Sequence, residues 1–416
     1  MTLLRCRHCG TPLHHQVIDL GHQPPSNAYL TAGQLERPEI TYPLKVYVCT
    51  GCWLMQLPAH ASAEMLFTPD YAYFSSMSSS WCAHAERYVA ATCQHLDLNA
   101  NSLVVELASN DGYLLQYVQQ RAIPCLGIEP TRAAAEAARS RGVATVERFF
   151  GVGLAEELIQ PDGPAAGGAD LVVANNVLAH VPDINDFVAG ISRLLKPTGQ
   201  VSIEYPHLLN LLTGNQFDTI YHEHYSYLGL GVLERIAARE GLRAVDVETL
   251  PTHGGSLRVW LARSDGPLVA RGAGLERLQA VRAAERAAGL ESLAAYEGFQ
   301  QRAEAAKHAL LAFLLQARRQ GERVLAYGAA AKGNTLLNYA GVRTDLLAAV
   351  ADKAPSKIGR FLPASHIPVL SPEDLLALQP DTILILPWNL TTEVKADLAH
   401  HAGLGFVRAI PTLERV

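Results

Sequence analysis

At 416 residues the chain is long enough for two or three domains, each able to bury a core of its own. Apolar residues make up 49% and charged residues only 18%, a balance that marks a compact globular protein and excludes a disordered one. A net charge of −6 with mixed signs gives no general attraction to nucleic acid or a membrane surface, and no apolar run reaches the ~18–20 residues needed to span a bilayer.

In chain order, residues 1–66 read as a metal-binding module. The opening Met1-Thr2-Leu3-Leu4-Arg5-Cys6 reaches cysteines too soon for a signal peptide, so the expected location is cytoplasmic. Of the seven cysteines, four form two pairs, Cys6-x-x-Cys9 and Cys49-x-x-Cys52. A two-residue gap lets both thiolates of a pair face one ion, and two pairs complete a tetrahedral, all-sulfur zinc site. A redox role is the rival, but two such pairs without a thioredoxin-like βαβ context favour metal. With no ligand position left open, the zinc is expected to be structural. The module's cations Arg5, Arg7, Arg37 and Lys45 lie scattered among His8, His14, His15 and His22, which does not make a nucleic-acid stripe.

Residues 67–260 alternate strand and helix patterns, the signature of a doubly wound parallel sheet. Leu103–Leu107 is the first strand, and the segment from Asp111 its helix. Cys125–Glu129, Asp170–Asn175 and Gln200–Glu204 are further strands, with a helix from Thr131 to about Arg141. Two late strands near 244–249 and 256–262 are close enough to form a hairpin. The first strand–turn–helix junction, Glu106-Leu107-Ala108-Ser109-Asn110-Asp111-Gly112, is built of small and turn-forming residues whose backbone N–H groups can face a ligand. Only Gly112 of a nicotinamide-type glycine fingerprint is present. Glu129, at the second strand's end, suits two ribose hydroxyls, and Asn175, ahead of Asn176 and His180, adds polar groups on the same edge.

An Ala/Glu/Arg-rich helical stretch from about 270 to 319 leads to a second α/β unit within residues 261–416. Its strands are expected at Val324–Gly328, Ala348–Asp352 and Thr382–Leu386. Gly328-Ala329-Ala330-Ala331-Lys332-Gly333-Asn334-Thr335 follows the first of them. It is no Walker motif, yet small residues, a helix start and Lys332 make a phosphate nest. Asp352 and Lys357 flank the next strand end and are candidates to contact a base or sugar. Two α/β units suggest two nucleotide-like ligands, one per sheet.

The densest chemistry lies at Tyr221-His222-Glu223-His224-Tyr225-Ser226-Tyr227, beyond the strand end Ile203-Glu204-Tyr205-Pro206. So many ionisable groups are costly to bury and unneeded on a surface, so they point to proton transfer. Alternation along an extended loop puts His222 and His224 on one face and Tyr221 and Glu223 on the other, unless the loop bends. The residues alone do not say which histidine faces a substrate. Further on, His253-Gly254-Gly255-Ser256-x-Arg258 offers close backbone approach, a hydroxyl and a cation suited to a diphosphate; an ordinary strand-surface arginine is the competing reading of Arg258.

A four-cysteine module, Glu-Leu-x-Ser-Asn-Asp-Gly, Asn-Val-Leu-Ala-His, Tyr-His-Glu-His-Tyr-Ser-Tyr and His-Gly-Gly-Ser-x-Arg, in this order, resemble the S-adenosylmethionine (SAM) dependent C-methyltransferases of nucleotide-linked 4-keto deoxysugars. The resemblance spans essentially the whole chain. One departure is Ala108, where the family often has glycine. The resemblance implies an N-terminal zinc module, a central Rossmann-like methyltransferase domain and a second Rossmann-like α/β domain. It implies SAM around Glu106, Ser109, Asn110, Gly112, Glu129 and Asn175. It implies a dTDP-linked sugar, held by His253, Ser256, Arg258, Lys332, Asn334, Asp352 and Lys357, with methylation at carbon 3. Carbon–carbon bond formation then requires a base, a donor for the enolate oxygen and alignment. The resemblance gives His224 as the base, Tyr221 and Glu223 as orienting or polarising groups, and His180 as a second candidate near the methyl donor. Tyr71 and Tyr73 are candidates to close over the site, with aromatic packing the competing role. Sugar O- or N-methylation, nicotinamide-dependent oxidoreduction and a zinc-ribbon scaffold are the alternatives.

Overall fold

A computed structural model describes residues 4–67, 74–267, 271–401 and 403–416. The first module is a small antiparallel sheet of β1 (His15–Gln23), β2 (Tyr42–Val48) and β3 (Met55–Gln56). Alternating burial along β2 puts Leu44, Val46 and Val48 inside, as expected of a half-buried strand.

The central sheet contains β4 (Val104–Leu107), β5 (Cys125–Ile128), β6 (Thr145–Val146), β7 (Ala169–Asn175) and β8 (Leu195–Pro206). The chain then crosses to the first sheet: β9 (Ser226–Tyr227) pairs antiparallel with β3. It returns as β10 (Leu242–Leu250) and β11 (Ser256–Arg263), the expected hairpin. The order β10-β11-β8-β7-β4-β5-β6 is parallel apart from β11, which runs antiparallel to both neighbours. Strand order reverses between β4 and β7, the topological switch point at whose carboxyl ends sheets of this kind seat their ligands.

The expected helical stretch 270–319 is not continuous. It divides into Gly274–Ala287 and Phe299–Gln320. Gly289 and Gly298 both adopt φ +71°, a left-handed turn that ends one helix and redirects the chain into the next. The last sheet contains β12 (Val324–Tyr327), β13 (Val350–Ala351), β14 (Val369–Leu370), β15 (Thr382–Ile385), β16 (Gly405–Arg408) and β17 (Glu414–Arg415). Its order is β14-β13-β12-β15-β16-β17, with a switch point between β12 and β15.

Packing joins all three parts. Ile18, Leu44, Val46 and Met55 of the first sheet share one core with Phe299, Leu310 and Leu337 of the last part, while the cysteines sit against the central core. Leu30 and Phe361 exchange backbone hydrogen bonds at 2.9 Å. The first module is thus a wedge between the two larger units. No helix among the described residues is long and apolar enough to cross a membrane.

Candidate active site

Cys6, Cys9, Cys49 and Cys52 bring their four sulfurs within 4.8 Å of one another. The Cys6–Cys52 and Cys9–Cys49 separations are 3.5 and 3.4 Å, close to the ~3.8 Å edge of a tetrahedral zinc–thiolate site. The Gln56 Nε2 group donates to Cys6 Sγ (3.1 Å) and the Gly51 N–H to Cys49 Sγ (3.3 Å), the outer hydrogen bonds such ligands need. His8 is not in the cluster; its Nδ1 meets Asn185 Oδ1 at 2.7 Å. With four thiolates and no fifth group, this is a structural zinc site.

At the carboxyl end of β4 the backbone turns sharply, with positive φ at Ala108 (+55°), Asn110 (+50°) and Gly112 (+78°). Ala108 therefore occupies a left-handed position that glycine would take without the ~1–2 kcal/mol penalty an L side chain carries. Glu129 is buried and braces this turn. Its Oε2 accepts from the Asn110 N–H (3.0 Å) and its Oε1 from the Thr131 N–H (2.8 Å). Burial pushes the Glu129 carboxyl up, against those hydrogen bonds. Burial pushes Glu106 up more strongly. Glu106 Oε2, Ser109 Oγ and Asn175 Oδ1 are buried without a hydrogen-bond partner among the described residues, all at this strand edge. Buried polar atoms seldom stay unpaired, so the crevice fits a polar cofactor such as SAM.

The Tyr221–Tyr227 segment is not extended throughout. The His224 N–H donates to the Tyr221 carbonyl (2.9 Å), closing a turn that separates the two histidines. His222 points away from the site and packs against Tyr42 of the first module (centroids 5.7 Å, edge-on). The shared face expected for His222 and His224 is thereby corrected: the turn breaks the alternation. Glu223 faces the same module, where its Oε2 accepts from Asn27 Nδ2 (2.5 Å). Tyr221 tilts over His224 with ring centroids 4.0 Å apart, and His180 meets His224 edge-on at 4.6 Å. His224 Nδ1 lies 2.8 Å from the Thr219 carbonyl, so Nδ1 carries the proton and Nε2 the lone pair. Burial, then the neighbouring His180, holds His224 well below the ordinary imidazole value. Burial likewise holds His180 and His253 down at about 4. Tyr71 and Tyr73 lie outside the described residues.

The C-terminal unit closes the other side. The chain leaves β15 into Trp388, whose Nε1 donates to Asp218 Oδ2 (2.8 Å). Lys332 Nζ donates to Asn389 Oδ1 (2.7 Å) and sits 4.7 Å above the Trp388 ring. Burial raises Asp218 to about 6 and lowers Lys332, and the Lys332 charge is felt at both His224 and His253. Lys332 is thus engaged by Asn389 and Trp388 on the side facing the histidines. Gly254 and Gly255 do allow close approach, but by protein: a Cβ on Gly254 would lie 2.3 Å from the Trp388 ring.

Arg258 is closed to solvent. It pairs with Glu204 (2.7 Å) and Glu248 (3.3 Å) and lies 4.4 Å over Tyr88, so its guanidinium holds Glu204 instead of facing a diphosphate. Burial raises the Glu204 carboxyl, but His84 and Arg258 outweigh it and hold the group at about 2. Ser256 Oγ donates back to the Thr252 carbonyl (2.9 Å), a turn contact. Asn334 Nδ2 donates to the Ser26 carbonyl (2.6 Å), tying the last unit to the first module. Asp352 and Lys357 pair at 3.1 Å beside the Gly328–Ala330 turn, where Lys357 also donates to the Ala329 carbonyl (2.8 Å). Sequence reading missed Asp218, Thr219, Trp388 and Asn389. Asp218 and Thr219 stand just ahead of the tyrosine–histidine run, whereas Trp388 and Asn389 carry no local signal.

Comparisons with known proteins agree in order along the chain. Residues 6–67 match a family described as a zinc binding domain, 79–247 a methyltransferase domain, and 251–411 the C-methyltransferase C-terminal domain. C-methyltransferase NovU of Streptomyces niveus is 35% identical over 389 residues, covering 94% of this chain and 90% of that protein. Among solved structures, the PH0226 protein of Pyrococcus horikoshii OT3 is 15% identical over 46% of this chain and 95% of its own, with a TM-score of 0.37. The magnesium protoporphyrin IX methyltransferase of Synechocystis PCC 6803 is 13% identical over 44% and 79%, with a TM-score of 0.32. The nicotinamide and zinc-scaffold alternatives fall away. The chain belongs to the zinc-containing, SAM-dependent C-methyltransferases.

Proposed function

We propose that the enzyme methylates a ring carbon of a nucleotide-linked 4-keto deoxysugar, at carbon 3, with His224 as the base. The observation that carries this reading is the His224 imidazole itself: Nδ1–H is tied to the Thr219 carbonyl, Nε2 is left to accept a proton, and His180 and Tyr221 crowd the ring. When bound, SAM supplies a methyl group on a positively charged sulfur. His224 Nε2 takes the proton next to the ketone, and the C–H electrons pass into the enolate, whose carbon is the nucleophile; SAM held at the β4–β7 edge would supply the methyl group, the S–C electron pair leaving with S-adenosylhomocysteine. A depressed pKa makes imidazole a weaker base but keeps it unprotonated; the developing enolate charge favours the imidazolium, while Lys332, which itself lowers His224, favours the enolate. The acid limb of kcat/KM, which reports the free enzyme, is therefore expected well below pH 6.5, because protonation that stops the base occurs at its lowered pKa. A limb at or above 6.5 would contradict a buried histidine base.

For the cofactor we propose that Glu129 holds the ribose and the orphaned polar atoms of Glu106, Ser109 and Asn175 serve the rest of the molecule. Glu129→Ala should weaken SAM binding by roughly 1.5–3 kcal/mol, the scale for losing hydrogen bonds to a charged group. Calorimetry with unchanged affinity would place the cofactor elsewhere. The nucleotide is proposed to lie toward Asp352 and Lys357 at the carboxyl edge of the last sheet. The decisive test is incubation of purified enzyme and SAM with a panel of nucleotide-linked 4-keto sugars, read by mass spectrometry. Carbon NMR of the product distinguishes carbon 3 from carbon 5, the other position acidified by the ketone. Methylation on oxygen, or of no sugar in the panel, would refute the proposal.

A further inference from the structure

We infer that Arg7 is a positioning residue that holds the two histidine-bearing segments, His180 and His224, in register from the zinc module. This rests on the reading of His224 as base. Arg7 follows the zinc ligand Cys6, and its N–H donates to Gln56 Oε1 (2.9 Å), the same side chain whose Nε2 meets the Cys6 sulfur. Its Nη1 donates to the carbonyl of Pro182 (2.9 Å), two residues beyond His180. Its Nη2 donates to the carbonyl of Leu57. Its Cζ lies 5.3 Å over the ring of Tyr225, the residue after His224. These three partners are themselves laced together. The Leu57 N–H donates to the Tyr225 carbonyl (3.0 Å), and the Tyr225 N–H to the carbonyl of Ala179 (2.7 Å), next to His180.

One guanidinium therefore touches every strand of the knot that sets the His180–His224 contact. The fork geometry of arginine is what allows it, since two carbonyls in different directions and an aromatic face need separate donors and a flat cation. Among the described residues the guanidinium's hydrogen-bond acceptors are the carbonyl oxygens of Pro182 and Leu57.

The test compares Arg7→Lys and Arg7→Gln in the full-length, zinc-loaded enzyme. Lysine keeps the charge beside Cys6 but cannot serve both carbonyls, so R7K should retain one zinc and wild-type SAM affinity while kcat falls about 10–100-fold, the scale for small misplacement of a reacting group. The acid limb should move up toward 6.5 as the loosened pocket admits water. His180, His253, Lys332 and Tyr221, which face His224, are unaltered by the change. R7Q should lose more. In a His224→Asn background, R7K should cost nothing further, because a residue acting through His224 has nothing left to position. Near wild-type kcat with an unmoved limb in R7K would overturn the inference, as would equal losses in both backgrounds. Loss of zinc from R7K would also overturn it, making Arg7 a support of the metal site. High activity in His224→Asn alone would instead refute the base assignment, a separate result.

Discussion

Replacing His224 with asparagine is expected to lower turnover by about 10²–10⁴-fold, the usual worth of a positioned base, with little change in SAM affinity. Asparagine can still donate to the Thr219 carbonyl now served by Nδ1, 2.8 Å away, so the local fold is preserved. It offers no group that accepts a proton near neutral pH. Tyr221→Phe and Glu223→Gln should cost less. Tyr221 keeps its ring contact with His224, and Glu223 is turned toward Asn27, so each contributes only part of the alignment. A 4-keto sugar in D₂O adds a check independent of methyl transfer: wild-type enzyme should place deuterium next to the ketone, and His224→Asn should not. A variant that methylates near the wild-type rate would transfer the role to His180, whose ring lies 4.6 Å away, and not to His222, which faces Tyr42.

Cys49→Ser is expected to empty the zinc site and to cost activity as well. A serine hydroxyl is a poor replacement for a thiolate, and structural zinc contributes to folding directly, at about 10–16 kcal/mol in small zinc modules at neutral pH. The consequence should reach the active site, because β3, which starts three residues after Cys52, pairs with β9, which starts two residues after His224. Elemental analysis should find one zinc per wild-type chain and close to none in the variant. SAM affinity should change little, since the proposed cofactor crevice lies on β4, β5 and β7, while kcat should fall with the metal. Wild-type protein purified without chelator and lacking zinc would refute the site, and a zinc-free variant with full kcat would sever the proposed link between metal and base.

Most of the fold was legible locally. Cysteine pairs two residues apart announce their metal because ligand geometry is a short-range property. Buried β-branched runs such as Val104-Val105 and Leu171-Val172-Val173 announce parallel strands because both faces are covered. The unbroken run of acid/base residues at 221–227 marked a candidate site because so many ionisable groups are costly to bury together. Tertiary structure decided what each of those residues faces. The turn at Tyr221–His224 sent His222 to the first module and His224 to the cluster, a choice invisible to alternation. Arg258, a plausible phosphate ligand in sequence, found Glu204 directly across the β8–β11 pairing. Trp388 and Asn389 reached Asp218 and Lys332 only because the carboxyl edge of the last sheet closes on the central one. Side-chain direction at a site assembled from segments such as Arg7, His180, His224 and Lys332 depends on long-range pairing and burial. Neither leaves a periodic trace in the residues themselves, so sequence determined which reactive groups were present and the fold determined which of them meet.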